Sequence, residues 1–353
     1  MKRVSIAAIG VTVALVAVGC NKPYDFDNDE KSDKVVVQQD GKWLRYEFPT
    51  QANPNPQPVT LRVGAPGERP VPADYDGNGT TDVAVVTANG DWVTQSSVGT
   101  FSFPAPPQLP GFSSSNGHII SPLTVDLDGD LHREAAWYRD SDATWFIQGR
   151  DPIVFGSPST LAVNQPGHPY NDSQDQDSAV PADYDGDGKT DLAVYNPRSR
   201  VWRVKSSRDG SESSVTMGGD KQYLAFPVPG DYDGVGHAQR AIFSGGPGWL
   251  IEGHATADTF GTYSGSNVID AFPAAADFDG DGKIDLAVVA NDGVWRFKGA
   301  PPILDRLTIG PAGFTTNFPV EFGGAIAIER IARFTLVAKN CLPPTPSFPQ
   351  SQC

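Results

Sequence analysis

Basic charge, sulfur and helical periodicity are what this sequence has least of. Against 42 acidic residues stand 27 Lys and Arg, a formal net charge of −15. Nucleic-acid binding needs clustered Lys and Arg, so no nucleic-acid partner is expected. There are two Met and three Cys in 353 residues. Beyond residue 20 no stretch is long and apolar enough to span a bilayer. No segment sustains a helical period. The five His (His118, His132, His168, His237 and His254) include no H-x-x-x-H pair. No G-x-S-x-G elbow, phosphate loop or Cys–His pairing appears, so the chain is not expected to be an enzyme. What is abundant is Gly (37), Pro (31) and aromatic residues (10%). That mixture suits many short strands joined by turns, with enough apolar bulk for a core.

The N-terminus reads as a targeting segment. Lys2 and Arg3 precede residues 6–18, which are apolar apart from Gly10 and Thr12, and Gly19-Cys20 closes the run. The stretch Ala17-Val18-Gly19-Cys20 resembles the lipobox of bacterial lipoproteins, with Ala17 where that family usually has Leu. The resemblance implies a signal peptide over residues 1–19 and lipidation of Cys20, with 20–24 as anchor and short tether. It implies an exported bacterial lipoprotein whose membrane partner is reached through Cys20. Asn21 stands where Asp would retain the inner membrane address, which leaves the outer membrane or the cell surface open. A soluble secreted chain cut nearby, or an uncleaved anchor, is the alternative. Setting Cys20 aside leaves Cys341 and Cys353, an even pair that suits a disulfide in an exported protein. The bridge would close the Pro-rich tail over 341–353 and contribute at most about 3 kcal/mol. Two thiols in that tail are the alternative.

Between these ends one pattern recurs six times. It begins at Asp25 (DFDNDEKSD), Asp74 (DYDGNGTTD), Asp126 (DLDGDLHRE), Asp183 (DYDGDGKTD), Asp231 (DYDGVGHAQ) and Asp277 (DFDGDGKID), at intervals of 46 to 57 residues. Each is followed by a short apolar run (KVVV, VAVV, AAWY, LAVY, RAIF, LAVV) and a turn. A Trp then falls 18 or 19 residues after the first Asp: Trp43, Trp92, Trp145, Trp202, Trp249 and Trp295. Such a unit reads as loop, strand, turn, strand and one or two weaker strands, the size of a propeller blade. One Trp per unit at a fixed strand position is expected to pack in the core, with a ring of sugar-stacking platforms as the lesser reading.

The loop D-x-D-G-D/N-G-x-x-D followed by an apolar strand resembles the FG-GAP and VCBS-type repeats of integrin α-subunit propellers and bacterial surface proteins. The resemblance covers residues 24 to 325 and implies an all-β propeller with calcium in its loops. Each blade is expected to hold about four antiparallel strands. That family commonly has seven blades; six loops favour six here, with seven as the alternative. Residues 318–337 are the candidate for a degenerate seventh start, or 326–337 for a strand that closes the ring against the first blade. The propeller is expected to occupy residues 25–340.

The chemistry of the loop supports a hard cation, which takes several oxygens. Asp at positions 1, 3 and 5 can face one concavity, and Gly at 4 and 6 lets the chain curl without a Cβ penalty. A backbone carbonyl near 7 and an acid at 9 complete the shell. Positions 1, 3, 5 and 9 hold 21 carboxylates, half of the acidic residues. The expected ligands are Asp25, Asp27, Asp29 and Asp33; Asp74, Asp76, Asn78 and Asp82; Asp126, Asp128, Asp130 and Glu134; Asp183, Asp185, Asp187 and Asp191; and Asp277, Asp279, Asp281 and Asp285. The loop with Asp231 and Asp233 has Val235 and Gln239 at two ligand positions and is expected to be weak or empty. About five Ca2+ ions follow.

A calcium-binding, lipid-anchored surface protein that recognises a glycan or a protein partner, or serves adhesion, is the reading these features favour. A polysaccharide lyase or hydrolase on a propeller and a structural envelope component are the alternatives. The insertions at 108–118 and 156–176 carry Phe112, Asn116, His168, Tyr170 and Asn171 as candidate contacts.

Overall fold

The computed structural model describes residues 24–316, apart from 38–40, 49, 51, 54–55, 66–67, 88, 97–98, 104–119, 159–176, 219–224, 245–246, 263–270, 291–293, 300–306 and 309–314. Residues 1–23 with Cys20, the candidate contacts of the two insertions, the segment 318–337 and the tail with Cys341 and Cys353 lie outside the described residues.

Among the described residues there is no helix, and so none long and apolar enough to cross a membrane. Their strands form six antiparallel sheets. The fourth repeat illustrates the unit: Ser178–Ala179, Leu192–Asn196, Val201–Lys205 and Glu212–Thr216 pair in chain order. Its acidic loop joins the first strand to the second. The fifth sheet has three strands, Ala225–Pro227, Ala241–Ser244 and Gly248–Ile251. The first sheet draws on both ends of the chain. Lys34–Val37, Lys42–Tyr46 and Val59–Val63 are completed by Thr315–Thr316, which pairs with Val36 and Val37. The strand added to the first sheet thus lies ahead of 326–337, the segment that the sequence pointed to.

The repeated Trp explains the packing. Within each sheet it sits opposite a residue of the preceding strand: Val37, Val86, Tyr138, Tyr195, Phe243 or Val289. All six side chains are at most 2% exposed, which makes them core and removes them as sugar platforms. Burying a residue of this size contributes about 3 kcal/mol or more relative to leaving it in water. Trp137, out of register with the others, packs edge-on against Trp92 of the preceding repeat, centroids 5.2 Å apart.

A single sheet with one Trp cannot cover both of its faces, and the cores accordingly lie between sheets. Trp92 and Val86 of the second repeat meet Trp137 and Phe146 of the third. Trp145 of the third meets Ala179 and Val194 of the fourth. Trp202 of the fourth meets Ala225 and Ile242 of the fifth, and Trp249 of the fifth meets Ala275 and Val288 of the sixth. Val35 and Trp43 of the first meet Val85 of the second. The sixth returns to the first: Phe278, Trp295 and Phe297 pack with Phe26, Tyr46 and Phe48.

Candidate metal centres

The acidic loops are built by their first residue. Its carboxylate accepts backbone N–H groups from positions 4 to 6, which curls the chain around it. Asp183 takes Gly186, Asp187 and Gly188 at 2.6, 3.2 and 2.9 Å, and Asp277 takes Gly280, Asp281 and Gly282 at 2.7, 3.1 and 3.0 Å. Positions 4 and 6 stand at positive φ in every loop, as at Gly186 (74°) and Gly188 (83°). In the first loop Asn28 (62°) and Glu30 (67°) adopt the same conformation without being glycine, as does Leu131 (71°) in the third. Such strain persists only where surrounding bonds over-determine it. Asp25 supplies them, accepting Asn28 and Glu30 N–H at 2.6 and 2.9 Å.

The ninth residue closes the loop by accepting the N–H of position 2. The distances are 2.8 Å for Asp33, 3.0 Å for Asp82, 3.2 Å for Glu134, 2.9 Å for Asp191 and 2.8 Å for Asp285. Position 2 is itself a feature that the ligand pattern hides. Phe26, Tyr75, Tyr184, Tyr232 and Phe278 each set their ring edge-on to the Trp of their own repeat, at 6.1–6.5 Å. The three Tyr hydroxyls donate to Val71, Val180 and Val228 carbonyls at 2.6–2.7 Å. The loop is therefore bolted to the buried Trp. An aromatic in five of the six second positions was the available signal.

Five loops gather three carboxylates whose ligand oxygens lie within 4.8 Å of one another. In the second, fourth and sixth these come from positions 1, 3 and 9: Asp74, Asp76 and Asp82; Asp183, Asp185 and Asp191; Asp277, Asp279 and Asp285. In the first and third they come from positions 1, 3 and 5: Asp25, Asp27 and Asp29; Asp126, Asp128 and Asp130. Asp33 and Glu134 stand outside those two groups. At position 5, Asn78, Asp187 and Asp281 accept the N–H of position 7 at 2.7, 2.9 and 2.9 Å. Burial, more than neighbouring charge, pushes the Asp82 carboxyl up to about 7 and that of Asp285 to about 6. Asp74, Glu134 and Asp191 are raised for the same first reason.

The Asp231 loop is stitched without a third carboxylate. Gln239 Oε1 accepts the N–H groups of Tyr232 and Asp233, both at 3.0 Å. Its amide nitrogen donates to Asp233 Oδ2 at 2.7 Å and to the Glu252 carbonyl at 2.9 Å. His254 Nε2 lies 3.1 Å from Asp233. Gln239 and then His254 hold the Asp233 carboxyl below its usual range.

The six loops are also joined to one another. The carbonyl of each first Asp accepts the N–H of position 8 in the next loop: Asp25 from Thr81, Asp74 from Arg133, Asp126 from Thr190, Asp183 from Ala238 and Asp231 from Ile284, at 2.6–3.0 Å. Asp277 accepts from Ser32 of the first loop at 2.7 Å, and the circuit is complete. The position-7 side chain lies over position 4 of the loop before. His132 covers Gly77, Lys189 covers Gly129, His237 covers Gly186, Lys283 covers Gly234 and Lys31 covers Gly280.

At the other end of the sheets lies a convergence of acid and base. The fully buried Asp177 carboxylate accepts Ser157 N–H at 2.6 Å, Asn196 Nδ2 at 2.9 Å and Arg203 Nη2 at 2.9 Å. Arg203 also contacts Ser157 Oγ. These bonds tie Ser157, at the start of the 156–176 insertion, and Asp177, just after it, to Asn196 and Arg203 of the fourth sheet.

Residues 74–137 match the model of the FG-GAP-like repeat, and residues 177–211 that of the FG-GAP repeat. The chain thus carries FG-GAP-type repeats. No curated protein matches it. Among solved structures it is similar to BBS1N in complex with ARL6DN, soaked with lead: 10% identity, TM-score 0.42, 80% of this chain and 80% of that one. It is also similar to rhamnogalacturonan lyase YesW (18% identity, TM-score 0.31) and exotype rhamnogalacturonan lyase YesX (14%, 0.31). The match covers 79% of this chain in both cases, and 57% and 55% of the lyase chains.

Proposed function

We propose that this chain is a six-bladed, calcium-binding β-propeller, exported and lipid-anchored through Cys20, that acts as a surface binding module. The observation that carries the calcium reading is the set of carboxylate triplets, each with its oxygens within 4.8 Å, on loops of one repeated backbone shape. An all-oxygen donor set of this charge suits a hard divalent cation. Asp76 and Asp82, Asp185 and Asp191, and Asp279 and Asp285 would hold it together with the first Asp of each loop, and the third loop would use Asp130 in place of its longer Glu134. The ion supplies charge neutralisation at the loop. The chain's own residues contribute to the loop's shape through the first carboxylate, which accepts the N–H groups of positions 4 to 6.

Six loops joined in one circuit, with the sixth core cluster shared by the sixth and first repeats, favour six blades over seven. A binding role is supported by how the repeats spend their aromatic residues: Trp and position-2 rings go into the scaffold, and the connections between strands are left to vary. The acid–base convergence at Asp177 does not favour a hydrolase or lyase, since its bonds are spent on holding the insertion stems together.

The test is a glycan array probed with the full chain, once in calcium and once in chelator, beside a melting curve in each. Binding in calcium that fails in chelator supports the whole reading. A melting temperature that chelation leaves unchanged removes calcium from it. Turnover of a defined polysaccharide, abolished by a point substitution outside the loops, replaces the binding module by an enzyme.

A further inference from the structure

One residue distinguishes the first loop from the others. Two positions after the repeated Trp stand Thr94, Ile147, Val204, Ile251 and Phe297 in repeats two to six; in the first repeat the residue is Arg45. Trp43 and Arg45 share a face of the strand Lys42–Tyr46, since side chains alternate along it. Arg45 is 8% exposed. Its guanidinium forms an ion pair with Asp27 and lies 3.6 Å from Asp33 Oδ2 and 3.8 Å from Glu47 Oε1. Asp27 and Asp33 are positions 3 and 9, the two that join position 1 around a common point in the second, fourth and sixth loops. In the first loop a guanidinium draws on both, and Asp33 stands outside the carboxylate triplet.

Other arginines approach loops, but differently. Arg208 lies 3.2 Å from Asp185 with its side chain 55% exposed, and Arg150 lies 3.7 Å from Asp128 at 39%. An exposed arginine can swing into water when an ion arrives. The Arg45 side chain, 9% exposed, has far less room to do so. A guanidinium keeps its charge throughout the accessible pH range, so it cannot yield by losing a proton. A divalent ion entering beside it would meet twice the repulsion of a monovalent one. Lys34, fully buried beside the same loop, donates to the Glu47 carbonyl at 2.9 Å.

We propose that Arg45 is the resident cation of the first loop, that its guanidinium replaces the metal there, and that the chain takes four divalent ions. These sit in the loops that begin at Asp74, Asp126, Asp183 and Asp277. The first loop then keeps its shape through an organic charge, as the Asp231 loop does through the Gln239 amide. This inference rests on the calcium reading of the remaining loops.

The experiment counts ions by native mass spectrometry on the full chain in calcium. The parent is expected to hold four, and Arg45→Thr, which installs the residue of the second repeat, five. Arg45→Lys keeps the charge and stays at four. Asp27→Asn, an exposed change that leaves Arg45 in place, also stays at four, whereas Asp76→Asn falls to three. Five ions on the parent, a loss on Asp27→Asn, or four ions on a folded Arg45→Thr each overturn the proposal. No ion on any of these proteins overturns the calcium reading itself, and this inference with it.

Discussion

The backbone N–H of Ser32 donates to the carbonyl oxygen of Asp277 at 2.7 Å. The two residues belong to the first and last acidic loops, and this bond turns a row of loops into a circuit. The N–H that donates shares its peptide unit with the position-7 carbonyl of the same loop. Whatever that carbonyl faces therefore polarises the link to the neighbour.

Ser32→Pro removes this donor and leaves a buried carbonyl without its partner. The expected loss is about 1–3 kcal/mol of unfolding free energy. Ser32→Gly, which keeps the N–H, separates the backbone effect from that of the side chain. Chemical denaturation of the pair reads the difference, and equal losses would show that the link is incidental.

Metal-free stability should fall as pH rises. Unfolded, Asp82 and Asp285 ionise near 3.8; folded, burial pushes them to about 7 and about 6. The folded state thus holds more protons in that interval, and stability is lost as pH rises through the folded values. In chelator the melting temperature is expected to be higher at pH 5 than at pH 8. Calcium, which needs the ionised carboxylates, should reverse the order. A chelated protein that melts higher at pH 8 would contradict this account.

Substitution at position 1 should cost stability in every loop, with or without an ion. The Asp231 carboxylate accepts Val235 and Gly236 N–H, both at 2.8 Å, although its loop lacks a carboxylate triplet. Asp231→Ala is expected to lose about 1–3 kcal/mol and no ion. Asp183→Ala should lose a comparable amount in chelator, more in calcium, and one ion. Melting curves and ion counts on the two variants check both statements.

Asp177→Ala strands three donors around a buried site, Arg203 among them. A loss of about 3–5 kcal/mol is expected, the scale for breaking one half of a buried pair. Limited proteolysis should then cut within 159–176 faster than in the parent. Unchanged cutting would mean that the stems are held by something else.

The repeat, the strands after each loop and the core position of the Trp were legible because they recur. An alternation of apolar residues at fixed distance from a turn survives changes in the residues between. Gln239 was legible as a break in the ligand pattern, though not as the amide that stitches its own loop. Arg45 was legible only in part. Comparing repeats marks it as the one charge two positions after the repeated Trp, but not as a guanidinium whose head reaches Asp27. The circuit of loops was hidden for another reason, since backbone groups carry it and any side chain is compatible with it. The first loop has no glycine at positions 4 and 6. Asn28 and Glu30 take the left-handed conformation all the same, because Asp25 holds them there.

The short pairing of Thr315–Thr316 with Val36 and Val37 has a kinetic side. Among the described residues each sheet shares a core with its neighbours, so lifting one out exposes two core faces and breaks two loop links at once. Thr315–Thr316 is held to the first sheet by two residue pairs, while Phe26, Tyr46 and Phe48 pack separately with the sixth repeat. Release of this strand is therefore expected to come before the first and sixth repeats separate, since their shared core and the Ser32–Asp277 link outlast it.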